Sequence, residues 1–365
     1  MGVAPQYLLE VAHDSLHRTV AGLRLESALI YDAAMTIDWK PLRQILETPQ
    51  RIVISSHVKP DADAIGSEVG LGLLLQQLGK SVRVINTSPT PAHLRFLDPT
   101  NLVHQFGTGD TAAAVAEAEL HFVVDTSSWN QLADVGQAMK ASAAQRIVID
   151  HHVSADDLGA IQFKDSTREA TGALIVDLAE AMGWTITAPA ATALYAAIAT
   201  DTGWFRFSAT TGGTLRTVSR LVDLGASPHE IYRELYERGT LARMHLIGRA
   251  LERITLDCDG LLAYTQISWS DFAEIGATPA DTEELVNECL KVAGTKAAFI
   301  AIEQANRQVK VSFRSRTEID VAQVAEQFRG GGHKQASGAT LAGPLKSAVK
   351  QALEAMRQAF CGIQT

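Results

Sequence analysis

Two α/β domains are the fold this sequence predicts, the first built on a mostly parallel sheet covered by helices. Three observations carry that expectation. A length of 365 residues suits two domains rather than one. From Gln50 onward, short β-rich apolar runs alternate with helical stretches, and buried strands alternating with helices imply a parallel sheet covered on both faces. After Asp201 the texture turns to polar helices and then restarts as a second, shorter alternation.

The elements follow in order. Residues 1–34 form an N-terminal extension, native or the product of a mis-set start, because Met35 opens MTIDWKPLRQIL, a start position followed by a short amphipathic helix. RIVISS (Arg51–Ser56) is the first strand, and Ala64–Leu78 is a helical run that Gly79 stops. SVRVIN (Ser81–Asn86), LHFVVD (Leu120–Asp125) and QRIVID (Gln145–Asp150) are further strands. Helices are expected at Thr171–Met182, Ala190–Ala199, Gly213–Leu224 and Pro228–Tyr236. A hairpin, ITLDCDGLLAYTQI, turns at Asp259-Gly260 and starts the second domain. A helix near Thr282–Val292, strands at Lys296–Glu303 and Val309–Arg314, and a helix from Leu345 complete it. The expected boundaries are 35–232 for the first domain, 233–248 for a helical linker and 249–365 for the second domain.

Composition narrows the function. With 46% apolar and 20% charged residues, the chain is not largely disordered. Three scattered cysteines exclude a disulfide framework and a thiolate zinc site. No signal segment is visible, and the longest charge-free stretch, Ala181 to Thr200, is interrupted by Pro189. A reduced, soluble, cytoplasmic protein is expected. The net charge of −9 argues against a basic face that coats long nucleic acid. Residues 1–245 carry 19 basic and 27 acidic residues, so the acidic excess belongs to the first part of the chain.

That excess is concentrated where the chemistry is. SSHVKPDADAIGS (Ser55–Ser67) follows the first strand and can direct His57, Asp61 and Asp63 at one point. Asp125 ends the strand LHFVVD, Asp150-His151-His152 ends QRIVID, and Asp201 follows an apolar helix. Alone, the first segment could be a helix cap, and Asp125 could cap the next helix. Together they meet the rule that ligands of open α/β sheets gather outside the carboxyl ends of the strands. Imidazole and carboxylate donors without thiolate suit Mn²⁺ or Mg²⁺, with Mn²⁺ favoured for the mixed set. His57, Asp61, Asp63, Asp125, His151 and Asp201 suffice for two divalent ions sharing a carboxylate. Such two-metal sites, about 3.5–4 Å apart, activate water for phosphoryl displacement.

HVKPDADAIGS, VVDTSS, DHH and ATDTGWF, in that order, resemble the four metal motifs of the DHH/DHHA1 phosphoesterases, and FRGGGHKQASGA (Phe328–Ala339) resembles the glycine-rich signature of their DHHA1 domain. The resemblance runs from about Met35 to the C-terminus and is closest to the oligoribonuclease/pAp-phosphatase branch. It implies a catalytic DHH domain, a helical linker and a smaller substrate-binding DHHA1 domain, with the catalytic cleft between them. It further implies that His57 and Asp61 hold one ion and Asp63 and His151 the other, with Asp125 and Asp201 sitting between or completing the two shells. Asp150 would orient His151, and His152 would contact the scissile phosphate as an acid toward the leaving oxygen. Ala173 stands where many relatives place a glutamate.

In the tail, Gly330-Gly331-Gly332 is either a flexible loop or a backbone cradle for an anion. Beside the metal motifs, phosphate binding by Gly331, Gly332, His333 and Lys334 is expected, with Arg314 gripping phosphate and Ser315 adding a hydroxyl. Arg206 would support the cluster or the substrate, and Phe207 would stack on a base or join the core. The expected activity is metal-dependent hydrolysis of short oligoribonucleotides to mononucleotides, or of 3′-phosphoadenosine 5′-phosphate (pAp), by a bridging hydroxide between two ions. The partners expected are short RNA or DNA or a nucleotide bisphosphate, with no membrane, and a homodimer left open. The rivals are a cyclic-dinucleotide or linear-dinucleotide phosphodiesterase, a RecJ-type single-strand exonuclease and a nucleotide sensor without turnover. A pyrophosphatase fits the triple-glycine tail less well.

Overall fold

The computed structural model describes residues 37–361, so the extension and the start at Met35 lie outside the described residues. The chain divides into two compact units, Met1–Arg238 and Gly239–Thr365.

The first unit holds a six-stranded parallel sheet: β1 (Arg51–Ser55), β2 (Ser81–Asn86), β3 (Val103–Gln105), β4 (Leu120–Val124), β5 (Gln145–Asp150) and β6 (Ile161–Lys164). The spatial order is β3-β2-β1-β4-β5-β6. The order therefore reverses between β1 and β4, which opens a crevice at their carboxyl ends. All five residues of β4 are buried, as a central strand covered on both faces requires. Ile52, Ile54, Phe122 and Ile149 face one apolar core, while Val53, Val123 and Val148 face the other.

Three helices pack over the larger core: Ala62–Gln77, Thr171–Met182 and Ala188–Asp201. The first and third approach so closely that a Cβ on Gly66 would lie 2.4 Å from the Ala193 carbonyl oxygen. A side chain there would push the helices apart. The close approach holds Asp63 in the first turn of one helix and Asp201 in the last turn of the other against the same strand ends. Asp201 is thus the final helical residue, two positions beyond the expected end at Ala199.

The second unit is built on a mixed sheet, in the order β11-β12-β10-β9-β8-β7. Its strands are β7 (Thr255–Asp257), β8 (Leu262–Ile267), β9 (Ala297–Glu303), β10 (Val309–Ser315), β11 (Gly331–His333) and β12 (Ala336–Leu341). Only β8 and β9 pair in parallel. Cys258, Asp259 and Gly260 all have positive φ, which makes the expected hairpin turn between β7 and β8. Phe299 and Phe313 face a core closed by the last helix, Leu345–Cys361, while Ile300 and Ile302 face a second core with Leu246 and Ala250 of the helix Leu241–Glu252. No helix among the described residues is long and apolar enough to cross a membrane.

Candidate metal centre

The centre sits at the reversal of strand order. The loop after β1 is tied to β2, with the Ser56 amide donating to Asn86 Oδ1 at 3.0 Å. His57 follows, its Nδ1 lying 3.0 Å from the Val58 carbonyl oxygen. A carbonyl only accepts, so Nδ1 carries the hydrogen and the Nε2 lone pair faces inward. Asp61 caps the next helix, accepting from the amides of Asp63 and Ala64 at 3.0 Å each. The cap reading and the ligand reading of Asp61 are therefore compatible.

Three groups of donor atoms converge here: His57, Asp61 and Asp125; Asp63, His151 and Asp201; and Asp125, His151 and His152, each with its atoms within 4.8 Å of one another. Asp125 belongs to two of them because its oxygens face opposite ways. Its Oδ2 is 3.4 Å from His57 Nε2, and its Oδ1 is 3.6 Å from His151 Nε2. A positive φ of 60° turns Asp125 out of the strand, a backbone form that aspartate tolerates better than most residues. His151 Nε2 also lies 3.8 Å from Asp63 Oδ2 and 3.5 Å from Asp201 Oδ2. All six expected donors meet.

The support around Asp63 has no motif in the sequence. Its carboxylate accepts from the amides of Thr171 (2.8 Å) and Gly172 (2.9 Å), at the N-terminus of the helix Thr171–Met182, and from Ser67 Oγ at 3.1 Å. Thr171 Oγ1 also donates to Asp125 Oδ1 at 3.0 Å. A helix N-terminus favours carboxylates through its free amides.

Electrostatics shows what the donors lack. Burial, and then the charges of Asp63, Asp61 and Asp201, raise the Asp125 carboxyl well above its ordinary value. Burial also raises Asp63, with His151 opposing. Asp201 is pushed up to about 7, first by burial and then by Asp63 and Asp61. Carboxylates that destabilise one another at this spacing call for cations, and oxygen and imidazole donors suit hard to borderline divalent ions. The residues present fit such ions.

One expectation about the third motif is corrected. Asp150 does not orient His151; the carbonyl oxygen of Arg168 does, 3.2 Å from His151 Nδ1. Asp150 instead holds His152, whose Nδ1 and amide reach its Oδ1 at 2.8 and 3.0 Å. The reason is local: Asp150 is the last residue of β5 and His151 turns across the strand end, so the carboxylate reaches the second histidine. Burial pushes the Asp150 carboxyl up, but bonds from His152, Ser127 and Lys164 outweigh it and hold it below the carboxylate range. His152 is raised in turn, chiefly by Asp150.

The expected substrate residues lie in several settings. Arg206 Nε donates to the Gly203 carbonyl, 2.6 Å away, within the turn that follows Asp201, and Phe207 is exposed beside it. In the second unit, the glycine-rich segment is not an open loop. Gly331, Gly332 and His333 form the exposed edge strand β11, paired with β12. Gly332 has a φ of 142°, and a Cβ there would meet the Ala336 carbonyl oxygen at 2.5 Å. Lys334 pairs with Glu318 at 2.8 Å. Arg314 on β10 is half-buried, with Nη1 on the Phe313 carbonyl, and burial lowers its pKa. Ser315 is buried and spends its hydroxyl on the Thr317 backbone.

Strand order and donor set together define a class, phosphoesterases that gather Asp and His at the carboxyl ends of parallel strands. Within it, the chain belongs to the DHH family, matching the DHH family N-terminal domain over residues 51–198 and the DHHA1 domain over residues 261–361. The bifunctional oligoribonuclease and PAP phosphatase NrnA of Thermus thermophilus is 31% identical over 88% of this chain and 94% of its own length. The protein of the same name from Bacillus subtilis is 28% identical over 80% of this chain and 89% of its own. Among solved structures, an exopolyphosphatase-related protein from Bacteroides fragilis matches with a TM-score of 0.85 and 25% identity, across 91% of this chain and all of its own.

Proposed function

We propose that this chain hydrolyses short oligoribonucleotides to mononucleotides and removes the 3′-phosphate of pAp, with divalent metal ions as cofactors. The observation that carries the reading is Asp125, one of whose oxygens faces His57 and the other His151, an arrangement that suits a carboxylate shared by two ions. The relatives named for both activities support the substrate class.

His57 and Asp61 would hold one ion and Asp63, His151 and Asp201 the other, with Asp125 in reach of both. Mn²⁺ suits the mixed donors best, with Mg²⁺ the alternative. When bound, the ions supply a water of lowered pKa and charge stabilisation at the phosphoryl oxygens. The remaining work belongs to side chains. His152, fixed by Asp150, turns a half-exposed ring to solvent and donates a proton to the leaving oxygen. Arg206 contacts the substrate beside Asp201. Arg314, with Gly331, Gly332, His333 and Lys334, grips a phosphate of the substrate; a partly desolvated guanidinium gains more from an anion than an exposed one. Ser315 adds a hydroxyl only if its turn opens.

Few cationic groups suit few phosphates, so the −9 chain selects short substrates. A cytoplasmic setting fits its three free cysteines, and a homodimer is the assembly to test by sedimentation. The deciding experiment incubates the protein and Mn²⁺ with RNA dimers to pentamers, pAp, cyclic dinucleotides and long single-stranded DNA. Consumption of the short linear RNAs and pAp is expected. Preferred hydrolysis of cyclic dinucleotides, processive degradation of long DNA, or no hydrolysis at all would each overturn the reading.

A further inference from the structure

We propose that Lys164 is a positioning residue for hydrolysis, acting through Asp150 to hold His152 in register with the leaving group. The inference rests on the reading of His152 given above and extends it to a residue outside the metal motifs.

The sheet places Lys164 there. In the parallel pair β5–β6, Asp150 and Lys164 are register partners, so their side chains leave the sheet on the same face. Phe163, one residue earlier, points the other way into the core. Although β6 is an edge strand, the Lys164 side chain is only 16% exposed. An ammonium group has three donors, and all three find acceptors: Asp150 Oδ2 at 2.9 Å, Ser127 Oγ at 2.8 Å and the Ser154 carbonyl oxygen at 2.9 Å. Lysine cannot accept, so Ser127 takes a hydrogen bond from it and passes its own hydroxyl hydrogen to Asp150 Oδ2.

Lys164 thereby ties together the loop after β4, the end of β5 and the loop after the paired histidines. With Oδ2 held by Lys164 and Ser127, Oδ1 is left to the amide and Nδ1 of His152. That leaves His152 Nε2 as the ring atom available to substrate. His151 is held by Arg168 instead, so Lys164 governs one histidine and spares the other.

The step served is hydrolysis of a phosphodiester bond. The water oxygen bonds to phosphorus, the bond from phosphorus to the ribose oxygen breaks, and that oxygen leaves with a proton from His152 Nε2. The proton lost by water restores the ring through solvent. A p-nitrophenolate leaving group departs without a proton, so it has no need of this help.

The test compares wild-type protein, Lys164→Met and Asp150→Asn on a diribonucleotide and on the p-nitrophenyl ester of a nucleoside 5′-phosphate. Mn²⁺ binding is read by electron paramagnetic resonance and folding by thermal melting. Loss of an outer-shell orienting group typically costs about 10- to 100-fold. We expect that loss in kcat on the dinucleotide for both variants, a loss at least about tenfold smaller on the ester, and Mn²⁺ bound as in wild type. Should Lys164→Met fail to fold, Ser127→Ala removes one arm of the same network and is expected to show the same leaving-group pattern. Equal losses on both substrates, or loss of Mn²⁺ binding, would overturn the proposal. Inactivity of wild-type protein on the dinucleotide would overturn the functional reading itself, which keeps the two failures distinct.

Discussion

Replacing Asp201 with asparagine should stabilise the metal-free protein while weakening its response to metal. The Asp201 side chain is 35% exposed, 3.5 Å from His151 Nε2, and its pKa rises from 3.8 to about 7 by burial and by the charges of Asp63 and Asp61. A raised carboxyl means the folded state disfavours the ionised form. Stability is therefore undiminished below the unfolded value of 3.8, declines as the pH rises toward 7, and carries the full penalty above it. Converted directly, that rise is worth about 4 kcal/mol, and solvent screening at a group one-third exposed reduces it to about 2 kcal/mol. Asparagine keeps the volume and removes the charge. For a domain of this size, about 2 kcal/mol corresponds to a Tm gain of roughly 4–8 °C at pH 8 in chelator. At pH 4 the two proteins should melt together. Saturating Mn²⁺ at about a hundred times its Kd should add about 2.7 kcal/mol to wild type and less to the variant. Calorimetric melts at both pH values, with chelator and with Mn²⁺, supply all four comparisons. A variant less stable than wild type at pH 8 without metal, or equally stabilised by Mn²⁺, would show that Asp201 carries no such penalty and holds no ion.

Three further outcomes follow from residues around and beyond the centre. Glu68 is fully buried and raised well above its ordinary value by burial, and it accepts from Asn86 at 2.8 Å; Glu68→Gln should cost under about 1 kcal/mol in urea unfolding, whereas Glu68→Ala should cost about 2–4 kcal/mol. Gly332→Ala should lower stability by about 2 kcal/mol or more through the contact with Ala336, while Gly331→Ala, which meets nothing within 4 Å, should stay within about 1 kcal/mol. Burial pushes Asp271 up, but Arg253 and Ser268 prevail and hold it at about 2. Its contribution should be fully present above the unfolded value of 3.8 and lost as the pH falls through about 2. Asp271→Asn should cost about 3 kcal/mol at pH 7 and flatten that acid limb.

In the first sheet, the strands that sequence reasoning located are the central ones, whose largely buried faces concentrate β-branched apolar residues. β1, β2, β4 and β5 emerge within a residue of their expected ends. β3 (VHQ) and β6 (IQFK) did not emerge, since a sheet edge half open to solvent needs no apolar run. β11 escaped for a different reason: Gly331 and Gly332 look like a loop, yet it is backbone crowding against β12 that demands Gly332. At the centre, the six candidate donors were legible because they are side chains gathered near the ends of strands and helices. Their supports were not. The amides of Thr171 and Gly172 and the Arg168 carbonyl act through backbone atoms, which any residue type can provide. Lys164 looks like an ordinary edge-strand lysine until the register with Asp150 is known.

In the proposed site, Asp125 serves two metal ions at once. The most direct measurement is the anomalous scattering of manganese in crystals of the protein grown with Mn²⁺, beside crystals of Asp125→Ala. Two peaks about 3.5–4 Å apart are expected, one beside His57 and Asp61, the other beside Asp63, His151 and Asp201, with an Asp125 oxygen on each. The pair should be lost in Asp125→Ala. A single peak in wild type, or two peaks undiminished without Asp125, would contradict that role of Asp125.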